Sequence, residues 1–191
     1  MHIKSSTILK SFFIFSFLFI SCSKDDNNTE EEVIEDESTI VVYEDIKFAV
    51  DEDGVDSKRF FSTSSGQLYT FSEIDEEIGY TVDLIWYDMS PTNSGFLFWE
   101  EPNDLFGDLS MPGARAIKIE NYEPSMSPDD FDNIENSDQL MSLTVENSNS
   151  AMGPVNYPLA ILFENADGKK GIIKMKSNDG EFMTVDIKVM K

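Results

Sequence analysis

The chain has 191 residues, 37 of them acidic and 14 basic, and a formal net charge of −23. That surplus repels phosphate backbones, whose binding needs Lys and Arg to displace counterions, and so excludes nucleic acid as a partner. One histidine, His2, and one cysteine, Cys22, leave no disulfide within the chain, and the fold must rest on a hydrophobic core.

The first element is an export signal. Met1 to Lys10 carries Lys4 and Lys10, Ser11 to Ile20 is almost wholly Phe, Ile, Leu and Ser, and the small Ser21 precedes Cys22. This is the basic region, apolar region and small-residue cleavage site of a secretory signal. The apolar run is about half of what a membrane-spanning helix needs. Its removal takes Lys4 and Lys10 away, so the charge moves from −23 to −25 over the remaining 170 residues, enough for one ordinary domain. It also takes His2, so the mature chain has no histidine, and Ser-His and Cys-His nucleophiles and His or Cys zinc sites are excluded.

Phe19-Ile20-Ser21-Cys22 resembles the lipobox of bacterial lipoproteins, with Phe19 where Leu is usual. Cys22-Ser23-Lys24-Asp25-Asp26 is similar to the export signal of Bacteroidota surface lipoproteins, a basic residue and then acidic ones. The resemblance implies acylation of Cys22 and a chain anchored by lipid in the outer membrane, facing the exterior. Two or three acyl chains make such an anchor stable where one is marginal. The alternative is an ordinary cleaved signal, with Cys22 a lone thiol in an oxidising compartment.

Residues 22 to 38 read as the lipidated cysteine and a disordered tether. From Asp25 to Ser38 the segment is polar and acidic apart from Val33-Ile34, and its charges repel one another. About 14 extended residues reach about 45 Å. Residues 39 to 191 read as a single mainly-β domain.

Thr39 to Val50 is rich in β-branched and aromatic residues and predicts a strand. Asp51-Glu52-Asp53-Gly54-Val55-Asp56 follows as an acidic turn. Phe60-Phe61 and Leu68 to Phe71 predict short strands, and Ser72 to Ile78 a short helix or loop. Thr81 to Met89 predicts a strand apolar on both faces, with Phe96 to Trp99 its neighbour across a Ser-Pro turn. Glu100 to Gly113 is loop-like, and Ala114 to Tyr122 alternates as a strand. Ser127-Pro128-Asp129-Asp130 announces a helix, with Ser127 as N-cap, Pro128 at the first position and acids in the first turn. Phe131, Ile134, Leu140 and Leu143 form its apolar stripe, with a break near Asn136-Ser137. Leu159 to Glu164, Lys170 to Lys176 and Glu181 to Met190 predict a three-stranded meander joined by Asp167-Gly168 and Asp179-Gly180 turns. The fold class is therefore mainly β, an antiparallel sandwich or half-open barrel with one short helix near residues 128–136; α+β is the alternative. The helix start at Asp130-Phe131-Asp132 and the hairpin from Asp167 to Lys174 make the domain similar to uncharacterised Bacteroidota surface lipoproteins, a likeness that brings no activity.

Two constellations are candidate sites. Trp99, followed by Glu100, Glu101 and Asp104 at a strand end, offers an aromatic platform with carboxylates, which suits a sugar; Tyr157 is a second surface aromatic. Burial in the core is the simpler reading of Trp86 and competes for Trp99. Asp51, Asp53 and Asp56 offer oxygen ligands for calcium, without the spacing of an EF-hand. Asp129, Asp130 and Asp132 read as charges at the start of the helix. The expected function is non-catalytic capture of a glycan or other extracellular ligand at the cell surface. A structural or protein-interaction role in the outer envelope is the alternative, and a carboxylate-based glycosidase the third.

Overall fold

The computed structural model describes residues 39–50, 57–88, 97–105, 109–121, 124–148, 152 and 155–191. The Cys22, Ser23, Lys24, Asp25 and Asp26 signal and the Asp51, Asp53 and Asp56 cluster lie outside them.

Two antiparallel sheets make the fold. The first has five strands in the order β1 (Ile40–Ala49), β9 (Phe182–Met190), β8 (Lys170–Asn178), β7 (Leu159–Glu164) and β6 (Lys118–Ile119). The second has four, β3 (Gln67–Tyr69), β2 (Phe60–Ser62), β4 (Leu84–Asp88) and β5 (Leu97–Glu100). They share one core, and neither closes into a barrel, so the fold is mainly β, as expected, with two antiparallel sheets and only short helices.

The period-two pattern of the C-terminal strand sets its register. Met183, Val185, Ile187 and Val189 are buried, while Thr184, Asp186 and Lys188 face outward. Phe48 from the first sheet meets the Trp99 ring edge-on with centroids 5.0 Å apart, and Trp99 meets its cross-strand partner Trp86 at 5.1 Å. Such edge contacts add to the area these rings bury.

The outer face of each sheet is covered too. Phe131, Ile134 and Leu140 lie over Ala160, Leu162 and Ile172 of the first sheet. Ile74, Val82, Leu105 and Met111 lie over Phe60 and Ile85 of the second. This is why β4 and β7 read as nearly continuous apolar runs.

Helices are short, and there are more of them than the single one expected. The pattern at residues 128–143 splits into α2 (Pro128–Asn133) and α3 (Ser137–Met141), because Asn136 starts a second helix as N-cap with Gln139 completing a capping box. Glu76–Thr81 forms another, α1, so β4 begins at Leu84 rather than Thr81. Asp75 caps α1 by accepting from the Ile78 N–H, a polar signal at its start. Of the strand expected over Ala114 to Tyr122, Lys118 and Ile119 pair in register with β7, and the Glu120 N–H donates to the Leu162 carbonyl. The strand's outer edge is taken by Asn147, whose Oδ1 accepts from the Ile119 N–H at 3.0 Å.

Candidate functional site

The sequence-predicted binding residues do not form a site together. Trp99 is 1% exposed and its ring belongs to the core. Glu100 is buried opposite Arg59, with Arg59 Nη1 3.7 Å from Oε2, and the guanidinium lies over the Phe60 and Tyr87 rings. Glu101 accepts from Asn147 Nδ2 at 2.8 Å, while Asp104 closes a tight turn through its N–H to the Glu101 carbonyl. Tyr157 packs half-buried against the same core as Trp99 and bonds to the Asn178 side chain; burial pushes its phenol upward. The sequence placed Trp99 at a strand end correctly, but Phe48 of the first sheet packs on its ring and covers it.

A cavity of about 340 Å³ lies elsewhere, and none of those five residues lines it. That volume is at the lower end of small-molecule pockets. Val41 and Tyr43 of β1 form one wall, and Thr63 and Ser64 of the β2–β3 turn another. Tyr80 and Thr81 end α1, and Asp83 precedes β4. Arg115 comes from the loop before β6, and Asn165, Asp167 and Lys169 from the β7–β8 turn. The turn that the sequence announced by Asp-Gly thus supplies much of one rim.

Asp83 is the most unusual of these side chains. It is 2% exposed, and its Oδ2 accepts from the Thr63 N–H at 3.1 Å and from the Thr63 hydroxyl. Among the described residues no hydrogen bond reaches Oδ1, which leaves an acceptor on a residue that lines the cavity. Burial pushes the carboxyl above its ordinary range, against the opposing pull of Thr63 and Arg115.

Arg115 is held from two sides. Its Nη1 and Nη2 donate to Asp167 Oδ1 and Oδ2 at 2.5 and 3.3 Å, and its guanidinium carbon lies 4.0 Å from the centre of the Tyr80 ring. The pairing holds Asp167 below the usual carboxylate range. Tyr80, 57% exposed, is thereby a fixed aromatic surface at the cavity, since stacking on a planar guanidinium restrains the ring. Asn165 Oδ1 accepts from the Asp167 and Lys169 N–H groups at 3.0 Å each, while its Nδ2 donates to nothing among the described residues.

The loop that carries Arg115 reaches Tyr80 because two glycines permit it. A Cβ on Gly79 would run into the Pro112 carbonyl, and one on Gly113 into the Glu76 carbonyl. Gly113 also has φ +68°, in the left-handed region.

Sequence reasoning missed this site, although two signals were present. Asp83 is a charge inside the apolar run from Thr81 to Met89, and Arg115 is one of only two arginines in the chain. Comparison of the chain with protein-family models, curated proteins and solved structures finds no match. Among the described residues no group of three or more His, Cys, Asp or Glu side chains has the arrangement of a metal site.

Proposed function

We propose that this chain is a lipid-anchored protein of the cell surface that captures a glycan in the cavity beside Asp83, without chemistry on it. The observation that carries the reading is the unspent polar capacity of that cavity. Asp83 Oδ1 can accept from a sugar hydroxyl, and Asn165 Nδ2 can donate to one. The Tyr80 ring, already oriented by Arg115, offers the flat apolar surface on which the C–H face of a sugar lies. Groups held before binding lose little freedom when the ligand arrives. The surface address rests on the signal, Cys22 and the Ser23-Lys24-Asp25-Asp26 run.

The test is a broad glycan array probed with the mature chain carrying Cys22→Ser, with and without calcium. Capture in the cavity requires binding that Tyr80→Ala and Asp83→Asn both abolish. Calcium dependence would implicate the Asp51, Asp53 and Asp56 turn. A blank array in both conditions sinks the reading and turns attention to envelope proteins as partners. Incorporation of labelled fatty acid, lost in Cys22→Ser, tests the anchor separately.

One observation favours a second reading. Asp83 and Asp167 line the same cavity with their carboxyls pushed in opposite directions, the pattern of an acid and base pair. Against it, the Arg115 guanidinium already engages both Asp167 oxygens. New reducing ends released from a bound glycan, and lost in Asp83→Asn, would establish hydrolysis instead of capture.

A further inference from the structure

Cations are scarce in this chain, and the fold spends most of the described ones. Lys118 pairs with Glu164, Lys174 with Asp132, and Lys176 with both Asp45 and Asp186. The ammonium groups of Lys170 and Lys188 bind backbone carbonyls of the segment that carries α2 and α3. Arg59 faces Glu100 in the interior. Among the described residues the ammonium groups of Lys47, Lys58 and Lys169 make no hydrogen bond or ion pair, and of these three Lys169 lines the cavity, beside Asp167.

The acid surplus of the surface is thus locally offset at the cavity. Arg115, Lys169 and Lys191 line it against Asp83 and Asp167, in a chain where acids outnumber bases by 37 to 14. Arg115 and Asp167 neutralise each other, which leaves the Lys169 ammonium as a charge available to a ligand. An anionic group suits that ammonium, and hydroxyls suit Asp83 and Asn165 on the same lining.

We propose that the captured glycan is acidic, a short hexuronic-acid oligosaccharide whose carboxylate is received by Lys169 while its hydroxyls meet Asp83 and Asn165. This rests on the capture reading above. A hexuronate carries both requirements on one ring, a single carboxylate among hydroxyls. The ligand is short because further carboxylates would face the acidic remainder of the surface, which repels them.

Calorimetry with the mature Cys22→Ser chain tests the proposal. The probes are trimers of galacturonate, glucuronate and mannuronate, each beside its carboxyl-reduced partner, which differs only in the charged group. At least one acid is expected to bind about tenfold tighter than its reduced partner. Lys169→Ala, an exposed position outside the ion pairs of the fold, is expected to remove that preference, so that acid and reduced sugar bind equally. Lys47→Ala, away from the cavity, is expected to change neither. Equal or tighter binding of the reduced sugars overturns the acidic class and leaves glycan capture standing. An acid preference untouched by Lys169→Ala overturns the assignment as well, and no binding of either form overturns the acidic class, while the array decides capture itself.

Discussion

The side-chain amide of Asn121 pairs with the Trp99 peptide as a neighbouring strand would. Its Oδ1 accepts from the Trp99 N–H at 2.7 Å and its Nδ2 donates to the Trp99 carbonyl at 2.8 Å. Asn121 thereby closes the edge of β5 at Trp99, as the Met152 N–H does at the Leu97 carbonyl, where unpaired backbone groups would invite misassociation. Asn147 closes β6 with one bond of the same kind. Asn121→Ala leaves two backbone groups of a buried residue without partners, and each such loss costs about 1–3 kcal/mol. A destabilisation of about 2–4 kcal/mol is therefore expected in urea unfolding. Asn147→Ala, with one part-buried bond to Ile119, is expected to cost about 1 kcal/mol. Equal costs for the two would show that the Trp99 edge finds water instead.

Lysines from the first sheet do what the helices over it lack, since neither α2 nor α3 has a basic residue in its last turn. Lys188 Nζ donates to the carbonyls of Phe131 and Ile134 at 2.8 and 2.7 Å and lies 4.8 Å from the centre of the Phe131 ring. A cation at a helix C-terminus stabilises by about 0.3–1 kcal/mol when exposed and up to about 2 when partly buried. Lys188→Met keeps the apolar stem and removes the charge, so a loss of about 1–2 kcal/mol is expected, with faster amide exchange confined to the α2 segment. Lys174→Met removes the same charge from a pair with exposed Asp132 and is expected to cost under about 1 kcal/mol. A larger effect at Lys174 than at Lys188 would refute the capping account.

The sequence discloses the fold where local chemistry and long-range packing agree. Met183 to Val189 alternates strictly, and Asp167-Gly168 supplies the turn residue with φ +77°, so the meander is legible from the residues alone. Ser127-Pro128 announces α2 in the same way. Misreadings fall where partners distant in sequence decide. The alternation from Ala114 onward is a strand signal, but Asn147 occupies its edge. Trp99 at a strand end points to a loop site, yet Phe48, about fifty residues earlier, covers it. The cavity is hidden for a related reason: its residues come from six separate segments, and no local spacing joins Tyr80, Asp83, Arg115 and Asp167.

Gly79 and Gly113 let the loop of Arg115 lie on α1, and each is expected to resist even the smallest side chain. A Cβ on Gly79 meets the Pro112 carbonyl, backbone that has no rotamer to escape into. Gly79→Ala and Gly113→Ala are each expected to cost more than about 1 kcal/mol and to abolish binding in the cavity by lifting Arg115 from Tyr80. Gly168 is a control, because it has φ +77° but nothing within reach of an added Cβ. Gly168→Ala is expected to cost only the left-handed penalty, about 1–2 kcal/mol, with binding retained. Thermal unfolding and the array binding of the three variants separate strain from contact.

Asp83 ties the stability of the domain to pH in the direction opposite to Asp167 and Asp45. Its folded-state pKa is raised above the ordinary 3.8 by burial, so the folded chain holds that proton more tightly than the unfolded chain. The stability this contributes is fully present below the unfolded value and is lost as pH rises through the folded value. For Asp167 and Asp45, lowered by Arg115 and Lys176, the sign reverses, and stability is lost as pH falls through their folded values. Asp83→Asn keeps an oxygen for the two Thr63 donors and removes the buried charge. The variant is therefore expected to match the parent near pH 3 and to melt higher than the parent at pH 7, while its glycan capture is lost. Such an exchange of stability for binding marks a group retained for function rather than for folding. A lower melting temperature for Asp83→Asn at pH 7 would show instead that the ionised carboxylate holds Arg115 in place, and would make Asp83 a structural residue.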